Sequence, residues 1–146
     1  MKKVIYFLIS FACIVFIVTF FLSRKIDKNL KTQWTDAVQM LEIGNKKQSY
    51  GIFSDIYHMY GTVPNKYQRV SLFSIFLIRL NSNEMDKIQN IKKEINEKFP
   101  NDYSIHYLKL MDDYQSGEFK SVENYKYFTE LESDLLSKVI YIFTNE

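Results

Sequence analysis

Few side chains in this sequence could carry chemistry. The candidates are two histidines, His58 and His106, one cysteine, Cys13, and the adjacent carboxylates Asp112 and Asp113. Ser54, Asp55 and His58 place a hydroxyl, a carboxylate and an imidazole in one short stretch. No nucleophile turn and no oxyanion feature accompanies them, so chance is the better account. The histidines lie in separate segments, without a second His or a Cys at ligand spacing, which argues against a metal centre. Neighbouring side chains on a helix point about 100° apart, so Asp112 and Asp113 cannot act as a close carboxylate pair. Four scattered glycines form no phosphate-cradling loop. The expectation is a non-enzyme with no catalytic residue, no metal ligand and no cofactor.

The side chains that remain must serve structure or binding. The chain has 146 residues, enough for one domain. Only four Gly and two Pro occur, and Val is scarce, which favours helices over a sheet. A single cysteine allows no intrachain disulfide. The net charge of +2 is unevenly spread. Residues 1–31 hold six basic side chains and one acidic; residues 32–146 hold 13 basic and 16 acidic, a net of −3. The bulk is mildly acidic and has no basic block, so no nucleic-acid partner is expected. The bias to Lys, Ile, Asn and Tyr fits an AT-rich bacterial coding sequence.

Residues 4–22, "VIYFLISFACIVFIVTFFL", form a 19-residue apolar run. At 1.5 Å per residue it reaches roughly 28 Å, close to the ~30 Å hydrocarbon core of a bilayer. The run is longer than a signal-peptide core, and "FFLSRK" has no small-residue cleavage pair. "SFAC" around Cys13 lacks the Leu of a lipidation box, since Ser10 stands there. The reading is an uncleaved single-span anchor from Val4 to Leu22, with residues 1–3 a short tail and 23–32 the juxtamembrane start of the next helix. Arg24, Lys25, Lys28 and Lys31 mildly favour a cytoplasmic domain. "MKK" before the apolar run resembles a bacterial signal-anchor, whose N-terminus stays in the cytoplasm. The second argument is preferred: a bacterial cytoplasmic membrane protein with residues 33–146 outside the cytoplasm.

Turn signals at Gly44-Asn45, Gly61-Thr62-Val63-Pro64, Asn81-Ser82-Asn83, Phe99-Pro100-Asn101-Asp102 and Ser116-Gly117 divide the rest into helices. These fall near 23–43, 47–60, 65–80, 84–99, 103–115 and 119–143, with Asp102 as the N-cap of the fifth. Six helices make three hairpins. Trp34, Leu72 and Tyr107 recur as large anchors, and Gly44, Ser82 and Gly117 as turn residues, each ten positions later. Tyr50, Phe53 and Tyr57 correspond to Ile88, Ile91 and Ile95; Val122 and Tyr125 follow in the third copy, one residue early.

On these residues the chain resembles the tetratricopeptide repeat (TPR) family. "YLKLMDDY" (107–114) matches the first-helix pattern, with Met111 in place of the small residue, and "SGEFKSV" (116–122) resembles the turn. Val122 and Ile88 replace the usual Ala, and Arg79 the usual Tyr. The resemblance implies an all-α chain: one transmembrane helix, then a short TPR-like α-solenoid of about three hairpins. It also implies an adaptor that binds a protein or peptide in a groove lined by the first helices. Thr35, Gln39 and Glu42, then Phe73, Leu77 and Leu80, then Leu108, Asp112 and Gln115 would line it, with Gln39, Phe73, Leu77, Leu108 and Asp112 as the main partner-binding residues. A competing reading makes Phe73, Leu77 and Leu80 core, because "VSLFSIFLIRL" is apolar on nearly every side. The alternatives for function are a structural subunit of a membrane complex acting through its anchor, or a small immunity-type protein. The apolar "DLLSKVIYIF" (134–143) should fold back on the preceding hairpin, or cover a second copy or a partner.

Overall fold

A computed structural model describes residues 2–59 and 63–145, and the side chains of Tyr6 and of residues 8 onward among them. The turn expected at Gly61-Thr62 and the side chain of Val4 lie outside that set. Six α-helices and no strand occur among the described residues: α1 (Lys2–Glu42), α2 (Lys46–His58), α3 (Lys66–Asn81), α4 (Met85–Lys98), α5 (Asn101–Ser116) and α6 (Glu130–Thr144). The chain divides into two units, Met1–Thr32 and Gln33–Glu146.

The first unit is helical from Lys2 onward. Its side chains from Leu8 to Leu22 are exposed, among them Phe11, Ile14, Phe16 and Phe21. Among the described residues one helix is long and apolar enough to cross a membrane, and it is this one. Thr19 turns its hydroxyl back to the carbonyls of Val15 and Phe16, each at 2.9 Å, which removes its cost in an apolar setting.

The second unit is built around α3. Every residue from Tyr67 to Ile78 is buried, and α2, α4, α5 and α6 all pack against this helix. Its start is set by a capping box: Asn65 Oδ1 accepts from Gln68 N–H, and Gln68 Oε1 accepts from Asn65 N–H. α4 shows the simple amphipathic case, with Ile88, Ile91 and Ile95 buried along one stripe.

Three helix ends share one geometry. After α1, Asn45 N–H donates to Met40 C=O and Gly44 N–H to Leu41 C=O. After α3, Glu84 donates to Arg79 and Asn83 to Leu80. After α5, Glu118 donates to Asp113 and Gly117 to Tyr114. Each is a Schellman motif with a left-handed residue, φ 79° at Gly44, 56° at Asn83 and 77° at Gly117. The left-handed residue in the middle copy is Asn83, one position after the turn residue Ser82 that aligns with Gly44 and Gly117.

Two further expectations are corrected. Asp102 lies in the first turn of α5, while Pro100 takes the cap position without a side-chain bond. The sixth helix does not begin at 119. Residues 118–129 are non-helical apart from a 3₁₀ turn at Val122–Asn124, and α6 starts at Glu130. Val122, Tyr125 and Phe128 are buried at three-residue spacing. That is the period of a 3₁₀ turn, and over seven residues it imitates an α-helical stripe. The third hairpin therefore lacks the second helix that Val122 and Tyr125 were expected to open.

Candidate functional site

The predicted groove residues do not share one open face. Phe73 and Leu77 are 0% and 1% exposed, so their assignment as partner contacts is corrected: both are core. Leu80 and Leu108 are half-buried, while Gln39 and Asp112 are exposed. Asp112 Oδ1 and Gln115 Oε1 both accept from Lys92 Nζ on α4, at 2.6 and 2.9 Å. They therefore turn toward α4, whereas Leu77 and Leu80 line a small cavity with Tyr114 and Phe143.

What covers α3 on that side is α6. Its buried residues are Glu132, Leu135, Leu136, Val139 and Ile140, a regular i, i+3, i+4, i+7, i+8 face. A charged clamp holds its first turn. Arg69 Nε donates to Glu132 Oε1 at 2.9 Å and Arg69 Nη2 to Oε2 at 3.0 Å. Tyr107 Oη donates to the same Oε1 at 2.6 Å, and Arg69 Nη1 to the Pro64 carbonyl at 2.7 Å. The Arg69 guanidinium lies over the Tyr103 ring at 3.8 Å. Glu132 is fully buried, so these bonds replace its hydration. Burial opposes the charge of Arg69, but Glu132 outweighs it and holds the guanidinium above its ordinary pKa. Burial, then the Glu132 carboxylate, pushes the Tyr107 phenol well above its usual 10.0. Midway along α6, Lys138 pairs with Glu42 at 3.8 Å.

The residue types first considered for chemistry are occupied locally. His58 Nδ1 donates to the Ser54 carbonyl at 2.7 Å, and Asp55 is exposed. His106 stacks on Tyr127, with ring centroids 3.8 Å apart. Asp113 accepts from Tyr125 Oη at 2.6 Å and from Lys109 Nζ at 2.9 Å, away from Asp112. Among the described residues no three His, Cys, Asp or Glu side chains come together as metal ligands would.

An open concavity lies elsewhere, between α2 and α4 with α3 as its floor. α2 contributes Tyr50, Ser54, Tyr57 and His58; α3 contributes Leu72, Ile75 and Arg79; α4 contributes Lys87, Asn90, Ile91 and Glu94. On each helix these positions recur at three- and four-residue spacing, so the trough follows the helices for about two turns. Its volume is about 190 Å³. Small-molecule sites occupy roughly 300–1,000 Å³, so this trough suits one or two side chains of a larger partner instead.

Leu72, Ile75 and Ile91 make the trough apolar at depth, and all three are buried. The Arg79 guanidinium lies 4.2 Å over the Tyr50 ring and bonds both Glu84 oxygens, at 2.9 and 2.8 Å. Lys87 pairs with the same carboxylate. Lys87, then Arg79, hold the Glu84 carboxyl below its ordinary pKa. Burial, with the Glu94 carboxylate second, pushes the Tyr57 phenol up, although Tyr57 Oη makes no hydrogen bond of good geometry among the described residues. Glu94 in turn pairs with Lys98 at 2.5 Å.

Sequence reading placed Leu72 and Arg79 in the repeat pattern but did not join them to Tyr50 or Lys87. No spacing rule unites residues from three helices. Glu132 was also missed, although it lies three and four positions before the buried Leu135 and Leu136, on the apolar stripe. Comparison of the chain with protein-family models, with curated proteins and with solved structures yields no match.

Proposed function

We propose that the chain is a membrane-anchored interaction module that binds a protein or peptide partner through its helical domain. The observation that carries this reading is the trough between α2 and α4, an open, apolar-floored concavity rimmed by Tyr and Arg. Those two side-chain types are enriched among the residues that dominate interface energetics. Residues 4–22 hold the module at the membrane as an uncleaved signal-anchor, with residues 33–146 outside the cytoplasm. The TPR-like reading of the hairpins rests on the sequence pattern of Trp34, Leu72 and Tyr107 with the turn residues Gly44, Ser82 and Gly117. In this reading the third hairpin has lost its second helix, and α6 instead lies against α3. The binding face consequently moves from the first helices to the trough.

The test exchanges residues 4–22 for an unrelated apolar span of equal length. Partner capture is read by crosslinking from the helical domain in intact membranes. The same crosslinked partner is expected from both proteins. Its loss on exchange would sink the module reading. It would favour instead a structural subunit acting through its anchor, for which the exposed apolar face of Leu8–Leu22 is the supporting observation.

A further inference from the structure

Charge around the trough differs in sign from charge on the rest of the domain. Among the residues that line it, Arg79 and Lys87 stand against Glu94, a net of +1. Residues 32–146 as a whole carry −3. The cations are also unequally placed. Arg79 and Lys87 share a single carboxylate at one end, whereas Lys98 and Glu94 cancel at the other. Glu84 sits on the α3–α4 turn and is not among the residues lining the trough, while Arg79 and Lys87 are. The Lys87 side chain is 57% exposed, free to swing to a carboxylate presented from outside.

Resting on the interaction-module reading, we propose that the trough takes an acidic amphipathic helix of a partner protein. One large apolar side chain of that helix enters over Leu72, Ile75 and Ile91. A Glu or Asp one turn away meets Lys87 and Arg79. Charge complementarity selects the acidic partner, since a basic helix would bring like charge to the end where two cations share one anion. The helix form follows from the trough itself, which runs along three helices for two turns and matches the i, i+3, i+4 anchors of helix-in-groove recognition.

The test uses the full chain in detergent micelles and two synthetic 16-residue helical peptides. Both carry one Phe anchor on an apolar face; one is flanked by Glu and the other by Lys. Fluorescence anisotropy should show the Glu peptide binding on the order of tenfold more tightly than the Lys peptide, a gap that narrows with added salt. Lys87→Glu should reverse the preference. Asn90→Trp, on an exposed position, should block both peptides and leave the thermal midpoint unchanged. Equal binding of the two peptides, failure of both to bind, or indifference to Lys87→Glu and Asn90→Trp would each overturn the proposal. The anchor-exchange experiment does not involve the trough, so the module reading can survive that result.

Discussion

Glu132 on α6 and Arg69 on α3 stand 63 positions apart and hold each other through two N–H···O bonds of 2.9 and 3.0 Å. Cutting this clamp on one side should cost more than removing it altogether. Glu132→Ala strands a buried guanidinium and should destabilise the domain by about 3–5 kcal/mol. The double change Arg69→Met with Glu132→Leu should recover most of that loss. Tyr107→Phe removes only a hydrogen bond to a charged group and should cost about 1.5–3 kcal/mol. Urea denaturation of the detergent-solubilised chain measures all three. A double variant no more stable than Glu132→Ala would show that the ionic bonds themselves hold α6.

Alkaline pH should loosen the same packing. Burial is the first cause that raises the phenols of Tyr57, Tyr107, Tyr114 and Tyr125 above their unfolded value of 10.0. The folded state therefore holds these protons more tightly than the unfolded one. That stabilisation is whole below about pH 10 and is lost as pH rises beyond it. The thermal midpoint should fall above pH 10, and Tyr107→Phe should fall less steeply than the parent. Identical alkaline slopes would remove Tyr107 from this account.

Two glycines with equal free space should respond with opposite sign. A Cβ at Gly51 or at Gly117 meets nothing within 4 Å, but Gly117 has φ +77°. Gly51→Ala lies inside α2 and should stabilise by about 0.5–1 kcal/mol. Gly117→Ala must adopt the left-handed region and should cost about 1–2 kcal/mol. Thermal melts of the two variants decide it; equal shifts would refute the Schellman account of the α5 end.

Leu77 and Gln39 should separate cleanly, although the repeat pattern pairs them. Leu77→Ala opens a cavity in the centre of α3 and should cost about 2–5 kcal/mol, and Leu77→Asp should prevent folding. Gln39→Ala is a surface change and should stay within about 0.5 kcal/mol. Circular dichroism melts give the comparison, and a folded Leu77→Asp protein would place that residue back at a surface.

The anchor is tested by intact mass of the membrane-extracted protein. The mass should include residues 4–22. A species starting at Cys13 or near Arg24 would mean processing. A reporter active only outside the cytoplasm, fused after Glu146, should be active; activity solely from a cytoplasmic reporter would assign the topology to Arg24, Lys25, Lys28 and Lys31.

Five of the helices were readable because their breakers are local. Gly44, Asn83, Pro100 and Gly117 act within one turn of where they stand, and the Ile88, Ile91, Ile95 stripe needs no tertiary information. The stretch 118–129 was not readable, because Val122, Tyr125 and Phe128 bury at a spacing that two kinds of turn share over so short a length. The candidate site was less legible still. Glu132 reads as an acidic residue suited to a helix start, and only the position of Arg69 shows why it can be buried. Tyr50, Arg79 and Lys87 come from three elements, and their proximity is a property of packing rather than of any one segment.

The docking of α6 on α3 also orders events during synthesis. Arg69 leaves the ribosome 63 residues before Glu132. At roughly 5–20 residues per second, that is about 3–13 s during which the apolar side of α3 has no cover from its final neighbour. Leu77, sealed in the finished domain, is then open to whatever apolar surface stands nearest. Closing a contact of such separation is slow compared with pairing α2 to α3, so the rate-limiting step of maturation should be arrival of the C-terminal helix. The newly made chain is therefore most dependent on chaperone shelter in the interval before α6 docks.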